Sequence, residues 1–459
     1  MKKLFVAVSL IAIESPSLAT TPSARPSPPD MAAVYANQPN VQERADDLGD
    51  WWRQFGDSVL DTLVDRALAQ NIDIAAAVTR IAEARAIRGT AAAQGRPQID
   101  LGVVGERQRV SGYQVGFPGP ETANAFSAGV NASWELDLFG RIRKGVQAAD
   151  ADILASTEDS RTARLAVITE VTRTYLEARG LERQLAIVKE GRQTQDETAA
   201  YTRVLFTAGA VARADVDRAE AQAASTAADA PAIELQRQIA IHRISVLLAS
   251  PAQDLYEALQ TTVTDARAPA AAAGIPAELL RRRPDVRSAE ARVAGAYARL
   301  GVAKADLKPH LTLVGSIGTL VNSFSGVGLT RSIAWLAGAS ASQPLFDGGT
   351  RRSVVNLRRA ECDQARFEYQ AAVLTAVADV ENALASIARD DERVTALDTA
   401  AAKARSAADQ VRRAWRAGES PILDLLEAER NQLAAEQALA QAQTADLRDH
   451  AGLFAALGG

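Results

Sequence analysis

The sequence predicts a mainly α-helical fold with a smaller β portion, internally duplicated. Three observations carry this. The string Gly95-Arg96-Pro97-Gln98-Ile99-Asp100-Leu101, followed by Trp134-Glu135-Leu136-Asp137-Leu138-Phe139-Gly140-Arg141, returns about 210 residues later. It returns as Leu307-Lys308-Pro309-His310-Leu311-Thr312-Leu313 and then Gln343-Pro344-Leu345-Phe346-Asp347-Gly348-Gly349-Thr350-Arg351. Each copy is followed by a polar, Ala-rich run of about 70 residues that stops at a glycine, Gly209 or Gly418, with an aspartate beyond it, Asp215 or Asp424. Only 5% of residues are aromatic, so helices packed through small side chains, rather than a thick core, account for most of the chain.

The amino terminus has the pattern of a secretory signal. Lys2 and Lys3 precede an apolar stretch from Leu4 to Ile13, and Ser17-Leu18-Ala19 is a small-x-small cleavage site, placing the cut before Thr20. Residues 1–19 are therefore expected to direct export. Residues 20–50 include Thr21-Pro22-Ser23-Ala24-Arg25-Pro26-Ser27-Pro28-Pro29, too rich in proline for a helix or a ladder, and are expected to be extended. After the signal, no stretch of about 18 apolar residues is evident that would predict a membrane-spanning helix.

Residues 58–96 have helical spacing, with Leu60, Leu63, Val64, Ala67 and Leu68 on one stripe and a break at Asn71. Strands are expected near 98–108 and 124–138, separated by a Gly- and Pro-rich loop from Ser111 to Thr122. The second strand alternates: Phe126, Ala128, Val130, Ala132, Trp134, Leu136 and Leu138 fall on one face, and Ser127, Gly129, Asn131, Ser133, Glu135 and Asp137 on the other. From Gly140 to Thr207 the apolar positions Leu165, Ile168, Val171, Tyr175, Ala178, Leu181, Leu185 and Val188 step by three and four. At 1.5 Å per residue this is a rod on the order of 100 Å long. A helix from about 212 to 248 covers half of it, and residues 58–96 could cover the other half.

The second copy repeats this order, with a helix near 285–305, strands near 309–321 and 331–346, a long helix near 351–417 and a shorter one near 421–456. Leu374, Val377, Leu384, Ile387, Val394 and Leu397 mark its stripe. The division is residues 51–250 for the first repeat, 251–275 for a linker or equatorial segment containing Ala268-Pro269-Ala270-Ala271-Ala272-Ala273-Gly274, and 276–459 for the second repeat.

Composition excludes several classes. The net charge is −5, with 51 basic residues interspersed among 56 acidic ones, so no basic footprint for nucleic acid exists. The single Cys362 sits in a helical context and cannot form an intramolecular disulfide. His242, His310 and His450 are scattered, and no nucleophile, base or metal constellation is present. The expectation is a non-enzyme without cofactor or metal.

Four strands of about 10 to 15 residues can cross a bilayer when tilted, but membrane barrels need at least about eight. An open sheet edge cannot face lipid, because its unpaired amides and carbonyls cost several kcal/mol each. In a membrane, two chains would give about eight strands and a filled interior, and three would give about twelve and a lumen. In water, the same alternation fits a small periplasmic sandwich on a helical stalk.

The motifs resemble those of TolC-like outer-membrane efflux proteins, and within them the OprM/NodT-type factors. The stretch Ile275-Pro276-Ala277-Glu278-Leu279-Leu280-Arg281-Arg282-Arg283-Pro284-Asp285-Val286-Arg287-Ser288-Ala289-Glu290 is similar to that group's hallmark. Trp51-Trp52 with Phe55-Gly56-Asp57, the 134–140 string and the 343–349 string resemble its conserved blocks. The likeness spans residues 45–457 and implies a homotrimer, with a periplasmic α-barrel and a twelve-stranded β-barrel in the outer membrane of a Gram-negative bacterium. It also implies contact with outer-membrane lipid, docking to a periplasmic adaptor and, through it, to an inner-membrane transporter of the RND type. Many such proteins carry a lipidated cysteine after the signal. Here Thr20 stands there, so no acyl anchor is expected. The function implied is a passive exit duct, and the alternative is a non-conducting periplasmic coiled-coil scaffold.

The turns at Gly209 and Gly418 would lie at the periplasmic tip. Gly418 suits a left-handed helix cap, and Ser420 suits an N-cap with Pro421 at the first helical position. Asp424 and Glu427 follow within two turns and match the family's acidic tip positions. They either complement the helix dipole or form an acidic ring around a constriction. First-copy counterparts are Asp215, Asp217 and Arg218. The basic residue that TolC types place just after the glycine is replaced by Glu419 and Ser420, leaving Arg413 and Arg416 to substitute. Arg281 to Arg283 are expected to end a helix, followed by Pro284 and an Asp285 N-cap, and Trp134 and Trp335 are either membrane-interface aromatics or ordinary sheet-packing residues.

Overall fold

A computed structural model of the chain describes residues 26, 28, 29, 49–110, 121–260, 266–269, 282–324 and 327–459. The signal segment, nearly all of the extended segment, the 111–120 loop, residues 261–265 and 270–274 of the linker and Ile275 to Arg281 lie outside the described residues. The elements are α1 (Ser58–Gln70), α2 (Ile72–Ala93), β1 (Gln98–Val110), β2 (Glu121–Leu136), α3 (Arg141–Thr207), α4 (Arg213–Leu247) and α5 (Ala252–Gln260). They continue as α6 (Pro284–Ala305), β3 (His310–Phe324), β4 (Val327–Ser342), α7 (Thr350–Arg416) and α8 (Ile422–Leu457).

The two long helices, α3 and α7, each have 67 residues. Each is flanked by shorter helices placed end to end. Beside α3, α2 covers the sheet-proximal half, where Arg88 pairs with Asp150 at 2.9 Å, and α4 covers the distal half. Asn71 makes the junction. Its side chain accepts from Ile74 N–H at 3.0 Å, capping α2, and donates to Leu247 O at 2.9 Å at the end of α4. The second copy has the same joint with different chemistry. Arg283 donates to Ala456 O at 3.1 Å near the end of α8, and also binds Asp285 and Asp379.

At this level the largest side chains are buried. Trp51, Trp52, Phe55, Leu60, Tyr175, Ile241, Ile244, Val380, Leu384 and Phe454 form one core, and Trp51 stacks on Phe454 at 5.3 Å. Asp57 caps α1 through the N–H groups of Val59 and Leu60 while accepting from Tyr175 Oη at 2.6 Å, which fixes α1 to the middle of α3. Elsewhere the rods pack through small residues. A Cβ on Gly180 would collide with the Thr444 side chain, so α3 and α8 approach closely there.

The four strands form one antiparallel sheet in the order β1-β2-β3-β4, so the two copies meet at the central β2–β3 pair. Residues paired directly across strands share a face. Leu101 pairs with Val130, Val130 with Ile317, and Ile317 with Trp335, making a continuous apolar row across the sheet. Leu101 is 75% and Trp335 76% exposed. The adjacent row on the other face is Asp100, Asn131, Ser316 and Leu336, which is mostly polar.

Several expectations are corrected. Leu138 lies in a bend beyond β2, and β4 ends at Ser342, leaving Leu345 and Phe346 outside any strand and more than nine-tenths exposed. Asp285 is not the N-cap of α6. Arg283 holds that position and Pro284 begins the helix, since proline's missing N–H costs nothing there. Likewise Pro421 is the N-cap of α8 and Ser420 lies outside the helix, because the extended backbone at Pro421 (ψ 155°) delays the first turn to Ile422. The buried stripe of α7 is Tyr369, Val373, Ala376, Val380, Leu384 and Ile387, and Leu374 is exposed. Two neighbouring faces are apolar there, so spacing alone did not choose between them. The same run gives α7 an 18-residue window of mean hydropathy 1.4, against the expectation that no such stretch exists. Its apolar stripe is part of the helical core.

The close approach at Gly180 is testable. Gly180→Leu is expected to cost about 1–3 kcal/mol through overpacking, read as a lower Tm by circular dichroism. Adding Thr444→Ala should recover part of the loss, whereas equal losses with and without it would mean that the two helices do not touch at this point.

Candidate functional site

At the end of the rods remote from the sheet, both long helices stop in the same way. Gly209 (φ +75°) and Gly418 (φ +77°) adopt the left-handed conformation, which glycine enters without the Cβ clash other residues incur. Ala210 N–H then donates to Leu205 O at 2.9 Å and Glu419 N–H to Ala414 O at 2.8 Å, closing each helix in a Schellman-type turn. An apolar cluster of Ala199, Ala219, Trp415, Ile422, Leu425 and Leu426 joins the two turns, with Tyr201 edge-on to Trp415 at 5.2 Å.

The charged candidates divide by copy. In the first, Asp215 accepts from Ala212 N–H at 3.2 Å and pairs with Arg218 at 3.1 Å, while Asp217 pairs with Arg213 at 3.0 Å. Both acids are held by their own helix, Asp215 as a cap and Asp217 in an ion pair one turn along. In the second copy, Asp424 accepts from Ser420 Oγ at 3.0 Å and is exposed. Glu427, Arg413 and Arg416 are also exposed, and among the described residues none has an ion-pair partner within 4.0 Å. The turn at Gly418 therefore presents Asp424 and Glu427 without an arginine clamp from the same chain.

Sequence reading missed a polar node just inside this turn. Glu429 is buried on α8, where its Oε1 accepts from Thr198 Oγ1 of α3 at 3.0 Å and from Arg412 Nη2 of α7 at 3.4 Å. Burial pushes its carboxyl above the usual glutamate range, outweighing the opposing influence of Thr198 and Arg412. The signal was available: Glu429 occupies a core position in the series Ile422, Leu425, Leu426, Leu433. Gln222 Nε2 adds a bond to Leu426 O at 2.9 Å, tying α4 to the same helix.

Other residues singled out in the sequence have structural places. Cys362 is buried beside Ala296 and Leu300, and Trp134 Nε1 donates to Gly95 O at 2.9 Å where the sheet meets the rods. Among the described residues no group of His, Cys, Asp and Glu is arranged to hold a metal ion. The tip presents exposed fixed charge from Asp424, Glu427, Arg413 and Arg416.

The family described as outer membrane efflux protein matches residues 63–250 and 275–459. The chain is 32% identical to Nodulation protein T of Rhizobium leguminosarum bv. trifolii, over 89% of this chain and 86% of that protein. It is 31% identical to the pyoverdine export outer membrane protein OpmQ of Pseudomonas aeruginosa, over 90% and 88%. Among solved structures, the outer-membrane channel OprN superposes with a TM-score of 0.85 at 34% identity, covering 94% of this chain and 98% of that one. Long paired rods, a four-stranded sheet with one apolar face, and these likenesses along nearly the whole chain lead to one conclusion: the protein belongs to the outer membrane efflux protein family.

Proposed function

We propose that three copies of this chain form the exit duct of a tripartite efflux pump, with the sheets completing a twelve-stranded outer-membrane barrel and the rods a tunnel through the periplasm. The observation that carries this is the exposed apolar face of an open sheet. From Phe126 to Leu136 the apolar positions of β2 extend over about 35 Å of strand, or about 25 Å of height when tilted, matching the apolar band of an outer-membrane barrel. In a water-soluble scaffold this face would have no apolar covering. The chain takes no part in chemistry, and solutes reach it from a periplasmic adaptor and an RND-type inner-membrane transporter that supplies the energy. Residues 51–250 and 276–459 act as two repeats joined by 251–275.

At the tip, the first-copy acids are neutralised by Arg213 and Arg218, whereas Asp424 and Glu427 remain exposed to form an acidic ring when three copies surround one axis. Arg413 and Arg416 are free to meet groups of a neighbouring copy. Gating is an iris-like shift of the helix pairs that end at Gly209 and Gly418, and the second-copy pair is the one expected to move.

Outer-membrane fractionation followed by single-channel recording tests the duct. A membrane-embedded, conducting species is expected, and a soluble species without conductance would overturn it. Asp424→Ala with Glu427→Ala should raise conductance or weaken block by cations, and an unchanged channel would return both acids to helix capping. For the sheet, Val130→Arg should destabilise the barrel by about 2–4 kcal/mol and reduce its yield in the outer membrane, while Asn131→Arg on the opposite face should be tolerated. Equal loss from both variants would contradict the assignment of faces.

A further inference from the structure

Glu429 joins three helices through one oxygen, about 10 Å along α8 from its first residue, Ile422, beyond the Gly418 turn. Its Oε2 has no hydrogen-bond partner, and neither has Oε1 of Gln195 on α3, a residue only 2% exposed. Both residues line one cavity of about 40 Å³, together with Glu190, Arg412, Gln432 and Glu436. Arg412 Nε, a buried donor of the same lining, is also without a partner, and unmet buried groups of this kind are costly. A proton on Glu429 supplies a donor to the cavity that Gln195 also lines and removes a buried charge.

The surrounding charges do not neutralise the carboxylate by themselves. From α7, Arg412 is shared with Asp409 at 2.8 Å, and Arg405 is engaged by Glu436 of α8 at 2.7 Å. From α3 comes the further acid Glu190, and α4 supplies the neutral Gln222.

We propose that Glu429 is a proton-operated latch, which in its protonated form holds α8 against α3 and α7 and keeps the tip closed, and which loosens when the proton leaves. This rests on the tip being the gate. The sign follows from where the proton binds more tightly. A carboxyl whose proton affinity is raised in the latched state contributes latching fully below the ordinary glutamate pKa, and loses it as pH rises through the raised value. Opening is therefore favoured by higher pH.

The experiment uses the full-length protein in two readouts. One is open probability in planar bilayers from about pH 5 to about pH 8, and the other is amide-exchange protection of residues 422–436, corrected for the intrinsic pH dependence of exchange. In the unaltered protein, open probability should rise, and protection should fall, by about threefold to tenfold across this range, as the proton of one carboxyl is released. Glu429→Gln keeps the acceptor for Thr198 and places a permanent donor in the cavity without a titrating charge, so both readouts should become independent of pH at the closed level. Gln195→Leu removes the acceptor and should move both profiles to lower pH. If Glu429→Gln retains the original pH profile of protection, the latch is overturned. If protection follows the expected pattern while no conductance appears at any pH, the latch stands and the gate reading of the tip falls instead.

Discussion

The outer edges of β1 and β4 dominate this molecule. Each carries a row of backbone donors and acceptors with no strand beside it among the described residues, and the face between them is apolar. Water tolerates the edges but not the face. Lipid tolerates the face but not the edges, where each unpaired group costs several kcal/mol. Only pairing β1 of one copy with β4 of another satisfies both demands, and repeating that step around an axis closes a barrel with no free edge.

The rods follow from the same closure. Strands arranged in a ring must continue into helices arranged in a ring, so the helical part can only surround a space. Its helices need lateral packing more than a deep core, which small contact residues such as Gly180 provide. The large side chains are concentrated where the short helices abut, at Asn71 in one copy and Arg283 in the other. Beyond that girdle, the far ends are held by a small apolar cluster and by polar bonds between helices. The gating proposed above would act at these ends, away from the larger core.

Much of this was legible in the sequence because it is local. Strict alternation from Phe126 to Leu136 assigned the faces of β2, the breaks at Asn71, Gly209 and Gly418 ended helices where expected, and the repeat gave the order of elements. What was not legible depends on partners distant in the chain. Leu374 and Val373 both fit a helical stripe, and only packing chose Val373. The cap at Pro421 rather than Ser420 was settled by the path of the incoming backbone. Glu429 was overlooked because its partners lie 231 residues away at Thr198 and 17 residues away at Arg412. The second-copy tip acids were legible as residues, but their lack of an arginine partner among the described residues is a fact of three-dimensional placement.

The central claim is that one chain is an incomplete barrel. The direct measurement is the protein mass of the detergent-solubilised particle by light scattering, with the detergent contribution subtracted. Three chain masses, each close to 48.6 kDa before any processing, are predicted. A stable, soluble particle of one chain mass would contradict the account.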